Sequence, residues 1–145
     1  MNLKVLSILA FAASVVGLAL LLMRKGLLSP APLVIAVQVT AVLLMVWARI
    51  TFGRRSFHAA ANTTDGGLVT NGPYRFVRHP IYAAILLFTW AGVAAHLSGI
   101  NVLLAILVTA GTLTRIFCEE RALREQYPEY AAYAKNTRRV IPGIF

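Results

Sequence analysis

Residues 80–97, PIYAAILLFTWAGVAAHL, and residues 100–117, INVLLAILVTAGTLTRIF, are two apolar runs of 18 residues parted by Ser98-Gly99. A helix that crosses a bilayer needs about 20 mostly apolar residues, with a range of about 17–25. Both runs are continuous and do not alternate polar with apolar side chains, so they read as helices and not as barrel strands. Two more lie upstream: Val5 to Met23, without a charge, and Ala31 to Ala48, whose polar members are Gln38 and Thr40. The pattern predicts an all-α integral membrane protein with about four transmembrane helices, over residues 5–23, 31–48, 80–97 and 100–117. A C-terminal helix and loop on the cytoplasmic side complete it. A single membrane-embedded domain over residues 1–145 accounts for the length.

Composition agrees. Of the 145 residues, 59% are hydrophobic and 13% charged, about half the charged share of a soluble domain. The mean hydropathy is +0.73. A soluble globule with so little charge could not cover its own surface, so a water-soluble enzyme is excluded, and the same figures exclude disorder. Fourteen Lys and Arg against five Asp and Glu give a net charge of +9. In so apolar a chain that excess is expected to face anionic lipid headgroups and not nucleic acid. One cysteine, Cys118, excludes an intrachain disulfide and a cysteine zinc cluster. His58 has no partner at ligand spacing, so no metal site is expected. The first run is longer than a signal-peptide core and is followed at once by Arg24-Lys25, so it reads as a retained helix.

Four helices put both termini and the stretch 49–79 on one side. All the basic residues except Arg24 and Lys25 then fall on that side, which the positive-inside rule makes cytoplasmic. The five acids (Asp65, Glu119, Glu120, Glu125 and Glu129) lie in the polar stretches 49–79 and 118–145, together with His58 and His79. A transporter would more often place an ionisable group mid-span, and the first three helices have none there.

Asn71-Gly72-Pro73 is a turn signal. Pro80 suits the first position of a helix, where its missing N–H costs nothing. That places His79 at the cap and Tyr82 in the first turn, and the unpaired N–H groups of the helix start offer a site for a carboxylate. The alternative is a positive-inside loop with an interfacial tyrosine. Arg115 and Glu119 are four apart on one face, and Glu120 points roughly 100° further round, so the two acids can serve different partners. The alternative there is a simple ion pair with Arg115 snorkelling. Tyr127, Tyr130 and Tyr133 read as interfacial anchors, His96 as interfacial filler, and Cys118 as packing.

Taken together, Gly72-Pro73-Tyr74-Arg75, Arg78-His79-Pro80-Ile81-Tyr82, Arg115-x-x-x-Glu119-Glu120-x-x-Leu123, Tyr130-x-x-Tyr133 and Arg139-x-Ile141-Pro142 resemble the isoprenylcysteine carboxyl methyltransferase family. The related phospholipid methyltransferases look similar in the same region. The likeness covers roughly residues 66–143, with site segments 66–82 and 115–142. Ala84 stands where many members have Gly, and Tyr127-Pro128 where Phe-Gly is common. The resemblance implies a membrane methyltransferase that uses S-adenosyl-L-methionine without a dinucleotide-binding domain, and no Gly-x-Gly-x-x-Gly follows a strand here. It implies that Leu68, Val69, Tyr74, His79, Pro80, Ile81, Tyr82 and Glu119 line the cofactor pocket and that Arg115 meets the carboxylate of a lipidic substrate, with Arg115 and Glu119 as the catalytic pair. Three readings stay open: carboxyl O-methylation of an isoprenylcysteine-like lipid, N-methylation of a phospholipid amine, and a non-enzymatic or transport role.

Overall fold

The computed structural model describes residues 2–53 and 67–145. Arg54, Arg55, His58, Asp65 and Gly66 therefore lie outside the described residues. The helices are α1 (Leu3–Met23), α2 (Pro32–Phe52), α3 (Pro80–Ala95), α4 (Gly99–Gln126) and α5 (Tyr130–Asn136), with a 3₁₀ turn at Gly72–Arg75 before α3. Among the described residues there is no strand, only one isolated parallel bridge between Val77 and Arg138. The all-α membrane architecture is as expected.

Among the described residues three helices, α1, α2 and α4, are long and apolar enough to cross a membrane. The 21 residues of α1 and of α2 rise about 31 Å, the thickness of a hydrocarbon core. The expected third span is shorter than the apolar run suggested. It ends at Ala95, after 16 residues, which is about 24 Å. His96 and Leu97 are drawn into the turn instead. The Asn101 side-chain amide donates to the His96 carbonyl at 2.7 Å, and the Ser98 hydroxyl caps α4 by accepting from the Asn101 amide at 3.2 Å. The His96 ring itself bonds the Leu28 carbonyl at 2.8 Å.

The helices joined by the shortest turn, α3 and α4, are not the principal packing partners. The main contacts pair α1 with α4 and α2 with α3, and α3 meets α4 less extensively. Small residues decide the first pairing. Ser7, Ala10, Ser14, Gly17 and Leu21 form the buried stripe of α1. A Cβ on Gly111 of α4 would lie 2.6 Å from the Ala10 carbonyl oxygen, so only glycine lets the two backbones come this close. The outer faces carry Leu9, Leu33, Leu43, Ile50 and Leu103, all exposed, as a lipid-facing surface requires. Between the two pairs runs an apolar cleft of about 450 Å³, lined by residues such as Leu18, Leu22, Met45, Ala84 and Phe88.

The bundle positions its ionic end through α4. Its apolar part ends near Phe117, but the helix continues unbroken to Gln126. It stops because Pro128 disfavours helical backbone at the residue before it, and Tyr127 is already extended at φ −118°, ψ 105°. The chain then turns into α5 and folds back onto the start of α3.

Candidate functional site

The site begins with the turn before α3. Gly72 has φ +55°, and a Cβ there would meet the Thr51 hydroxyl at 2.6 Å, so glycine is required both by conformation and by the end of α2 beside it. The turn brings Tyr74 inward, where its buried ring lies 5.5 Å from that of Phe52. Burial pushes the Tyr74 phenol up, with further pushes from Tyr133 and the Glu119 carboxylate against a pull from Arg49, so it stays a neutral hydroxyl facing the same ionic end. Pro80 occupies the first turn of α3 with His79 at the cap, as the sequence predicts. Ile81 is half-buried in that first turn, and Leu68 and Val69 are half-buried in the irregular stretch leading into it.

Four of the expected residues come into direct contact. Arg115, although only 5% exposed, donates from Nε to the Tyr82 hydroxyl at 2.8 Å and from Nη2 to Glu119 Oε1 at 3.1 Å. The Tyr82 hydroxyl in turn donates to Glu119. His79 Nδ1 lies 3.8 Å from Glu119 Oε2, and the His79 and Tyr82 rings are 5.8 Å apart. Phe11 of α1 closes one side, its ring 5.0 Å from the Arg115 guanidinium carbon. The Glu119 side chain remains 23% exposed and is the open acid of the group. His79 Nε2 is buried without a hydrogen-bond partner, which is uncommon enough to need a reason.

Glu120 points to the other side, as its place on the helix requires, and forms a second network. Its carboxylate takes a hydrogen bond from Arg78 Nε at 2.9 Å and from Arg139 Nε at 3.2 Å. His79 Nε2 faces it at 3.4 Å without hydrogen-bond geometry. Burial pushes the Glu120 carboxyl up, but the facing His79 imidazole and the Arg78 guanidinium outweigh it and hold the group down at about 2. Arg78 also donates to the carbonyls of Ala134 and Thr137. The Arg78 and His79 amides donate to the Arg138 and Arg139 carbonyls at 2.7 and 2.9 Å. Tyr133 donates to the Tyr74 carbonyl at 2.6 Å; burial pushes its phenol up to about 12, so it keeps that proton.

This second network corrects the reading of the tyrosines. Tyr130 is 1% exposed and packs inside, and Tyr133 is tied to the turn, so neither is an interfacial anchor. The roles of Arg78 and Arg139 were not read from the sequence. Their signal was the concentration of Arg78, Arg138 and Arg139 in the two polar stretches that also hold the acids. Cys118 is buried, as expected of a packing residue.

The fold and site thus define an all-helical membrane protein with a largely buried cluster of charged and aromatic side chains at one end of its bundle. The sequence of residues 27–130 matches the phospholipid methyltransferase family. The chain belongs to that family. It is also similar to the cobalt-zinc-cadmium resistance protein CzcN of Cupriavidus metallidurans, with 33% identity over 78 residues. That stretch is 53% of this chain and 36% of the relative, so the chain spans about a third of the length of the curated protein it matches. No solved structure matches the chain.

Proposed function

We propose that the protein is an S-adenosylmethionine-dependent methyltransferase acting on a lipidic acceptor at the membrane surface. The observation that carries this reading is the meeting of His79 and Glu119 within 3.8 Å, from two distant segments, in a chain of the phospholipid methyltransferase family. The donor set fits a small zwitterion. The His79 imidazole and the N–H groups at the start of α3 suit a carboxylate. The half-open Glu119 suits an ammonium or a ribose hydroxyl. The Tyr82 ring suits a cationic centre or a flat base, while Leu68, Val69, Tyr74, Pro80 and Ile81 supply the walls. When bound, S-adenosylmethionine supplies an electrophilic methyl group and leaves as a neutral thioether.

The acceptor we favour is the carboxylate of an isoprenylcysteine-like lipid. A carboxylate is already ionised at pH 7, so the chain needs no general base, and its task reduces to alignment and exclusion of water. Arg115 can hold a carboxylate through two parallel hydrogen bonds, exchanging Glu119 for the substrate as its partner. A second reading, N-methylation of a phospholipid amine, is favoured by the family match. It requires a base, and Glu119 is the candidate, since Arg78 and Arg139 occupy both oxygens of Glu120. In either case the basic end of the bundle faces the cytoplasm by the positive-inside rule, and the lipid partner reaches the crevice from the bilayer.

The test is incubation in nanodiscs with methyl-labelled S-adenosylmethionine and a panel of isoprenylcysteine and aminophospholipid acceptors, read by mass. Label on the carboxyl lipid, lost at least a hundredfold in Arg115→Ala while cofactor binding persists, is the expected result. Label on the amine lipid selects the second reading. No label on any lipid, with no heat of cofactor binding, refutes both.

A further inference from the structure

The family match ends at residue 130, yet several contacts that hold the site come from beyond it. The amides of Arg78 and His79 are held by the carbonyls of Arg138 and Arg139. The Arg139 side chain then reaches back to α4. Its Nε and Nη2 both lie 3.2 Å from Glu120 Oε2, while Arg78 takes Oε1 at 2.9 Å. The Arg139 guanidinium carbon is 5.2 Å from the ring centres of both Phe117 and Phe145, so two aromatic faces hold it in place. A carboxylate gripped on both oxygens has one orientation, and Oε1 of that carboxylate faces His79 Nε2 at 3.4 Å. A lysine could not give both nitrogen contacts and lie between the rings.

We infer that Arg139 is a positioning residue of the crevice: it sets Glu120 and, through Glu120, the His79 imidazole. The C-terminal segment thus acts on the site through this side chain. For its effect on ligand affinity this rests on the methyl-donor reading of the crevice.

The experiment uses full-length protein in nanodiscs, as wild type, Arg139→Ala, Arg139→Lys, Glu120→Gln and the Glu120→Gln/Arg139→Ala double variant. Hydrogen exchange is read first, without ligand. Arg139→Ala speeds exchange at the amides of Arg78 and His79 at least tenfold and leaves Val108, in the α1–α4 core, at the wild-type rate. Arg139→Lys shows the same pattern more weakly, which keeps the test decisive should the alanine variant fold poorly. Titration with S-adenosylhomocysteine is read second. Arg139→Ala raises Kd about tenfold, Arg139→Lys falls between, and Arg139→Ala adds no further loss in the Glu120→Gln background. Unchanged exchange at residues 78 and 79, or an equal loss of affinity with and without the Glu120 carboxylate, overturns the inference. If wild type binds no S-adenosylhomocysteine, the methyl-donor reading fails, and the exchange result alone decides the role of Arg139.

Discussion

Tyr82 joins the two charges of the crevice with one hydroxyl. It accepts from Arg115 Nε at 2.8 Å and donates to Glu119. Hydrogen bonds to charged groups contribute about 1.5–3 kcal/mol each, and buried groups left unsatisfied cost comparably. Tyr82→Phe keeps the ring beside His79 and removes only the bridge. Its expected effect is a loss of about 2 kcal/mol, read as a lower melting temperature in detergent, with a weaker grip on S-adenosylhomocysteine. A variant that melts with wild type would show that Arg115 and Glu119 hold each other unaided. The residues of this bridge were legible in the sequence because each has a local reason for its place. Pro80 fixes where α3 starts, and the spacing of four puts Arg115 and Glu119 on one face. Arg139 had no such local reason. Its aromatic neighbours and its acid come from other parts of the chain, and no period or turn signal announces them.

At the scale of elements, helix ends decide what hydropathy leaves open. The apolar run at 80–97 overstated α3 because hydropathy cannot see that the Asn101 side chain takes the His96 carbonyl. The end of α1 is informative in another way. Gly26 N donates to the Leu21 carbonyl at 2.8 Å and Lys25 N to Leu22 at 3.0 Å, the paired bonds of a Schellman cap. The left-handed position of that cap, φ +56°, is held by Lys25, an exposed side chain. A non-glycine residue there costs about 1–2 kcal/mol. Lys25→Gly is expected to stabilise the protein by about 1 kcal/mol, seen as a raised melting temperature with no change in cofactor binding. A lowered melting temperature would mean that the lysine side chain contributes more than its backbone conformation costs.

Across the whole molecule, one carboxylate ties the turn before α3, the end of α4 and the C-terminal segment together. Glu120 is held down at about 2 in the folded protein, mainly by His79 and Arg78 acting against burial. A carboxyl whose folded value is lowered stabilises the fold fully above its unfolded value, about 4.3 for glutamate. That stability is lost as pH falls toward the folded value. Melting temperature should therefore hold level down to about pH 5 and fall between about pH 4.5 and 2, and Glu120→Gln should flatten that fall. An equal acid loss in Glu120→Gln would assign the effect to other groups. This arrangement also marks the boundary of what the sequence disclosed. Spans and the two ionic segments follow from composition and period. The folding of residues 131–145 onto residues 77–79 does not, because it rests on backbone and side-chain bonds between residues far apart in sequence. The place of the α5 tyrosines is hidden for the same reason, since aromatic residues beside a membrane look alike whether they face lipid or a folded-back tail. Whether the two segments together hold a methyl donor is decided by ultraviolet crosslinking of tritiated S-adenosylmethionine followed by peptide mapping. Label is expected only in peptides containing residues 74–82 and 115–120, abolished by excess S-adenosylhomocysteine and by Glu119→Gln. Label elsewhere, or label that survives both treatments, would show that they do not.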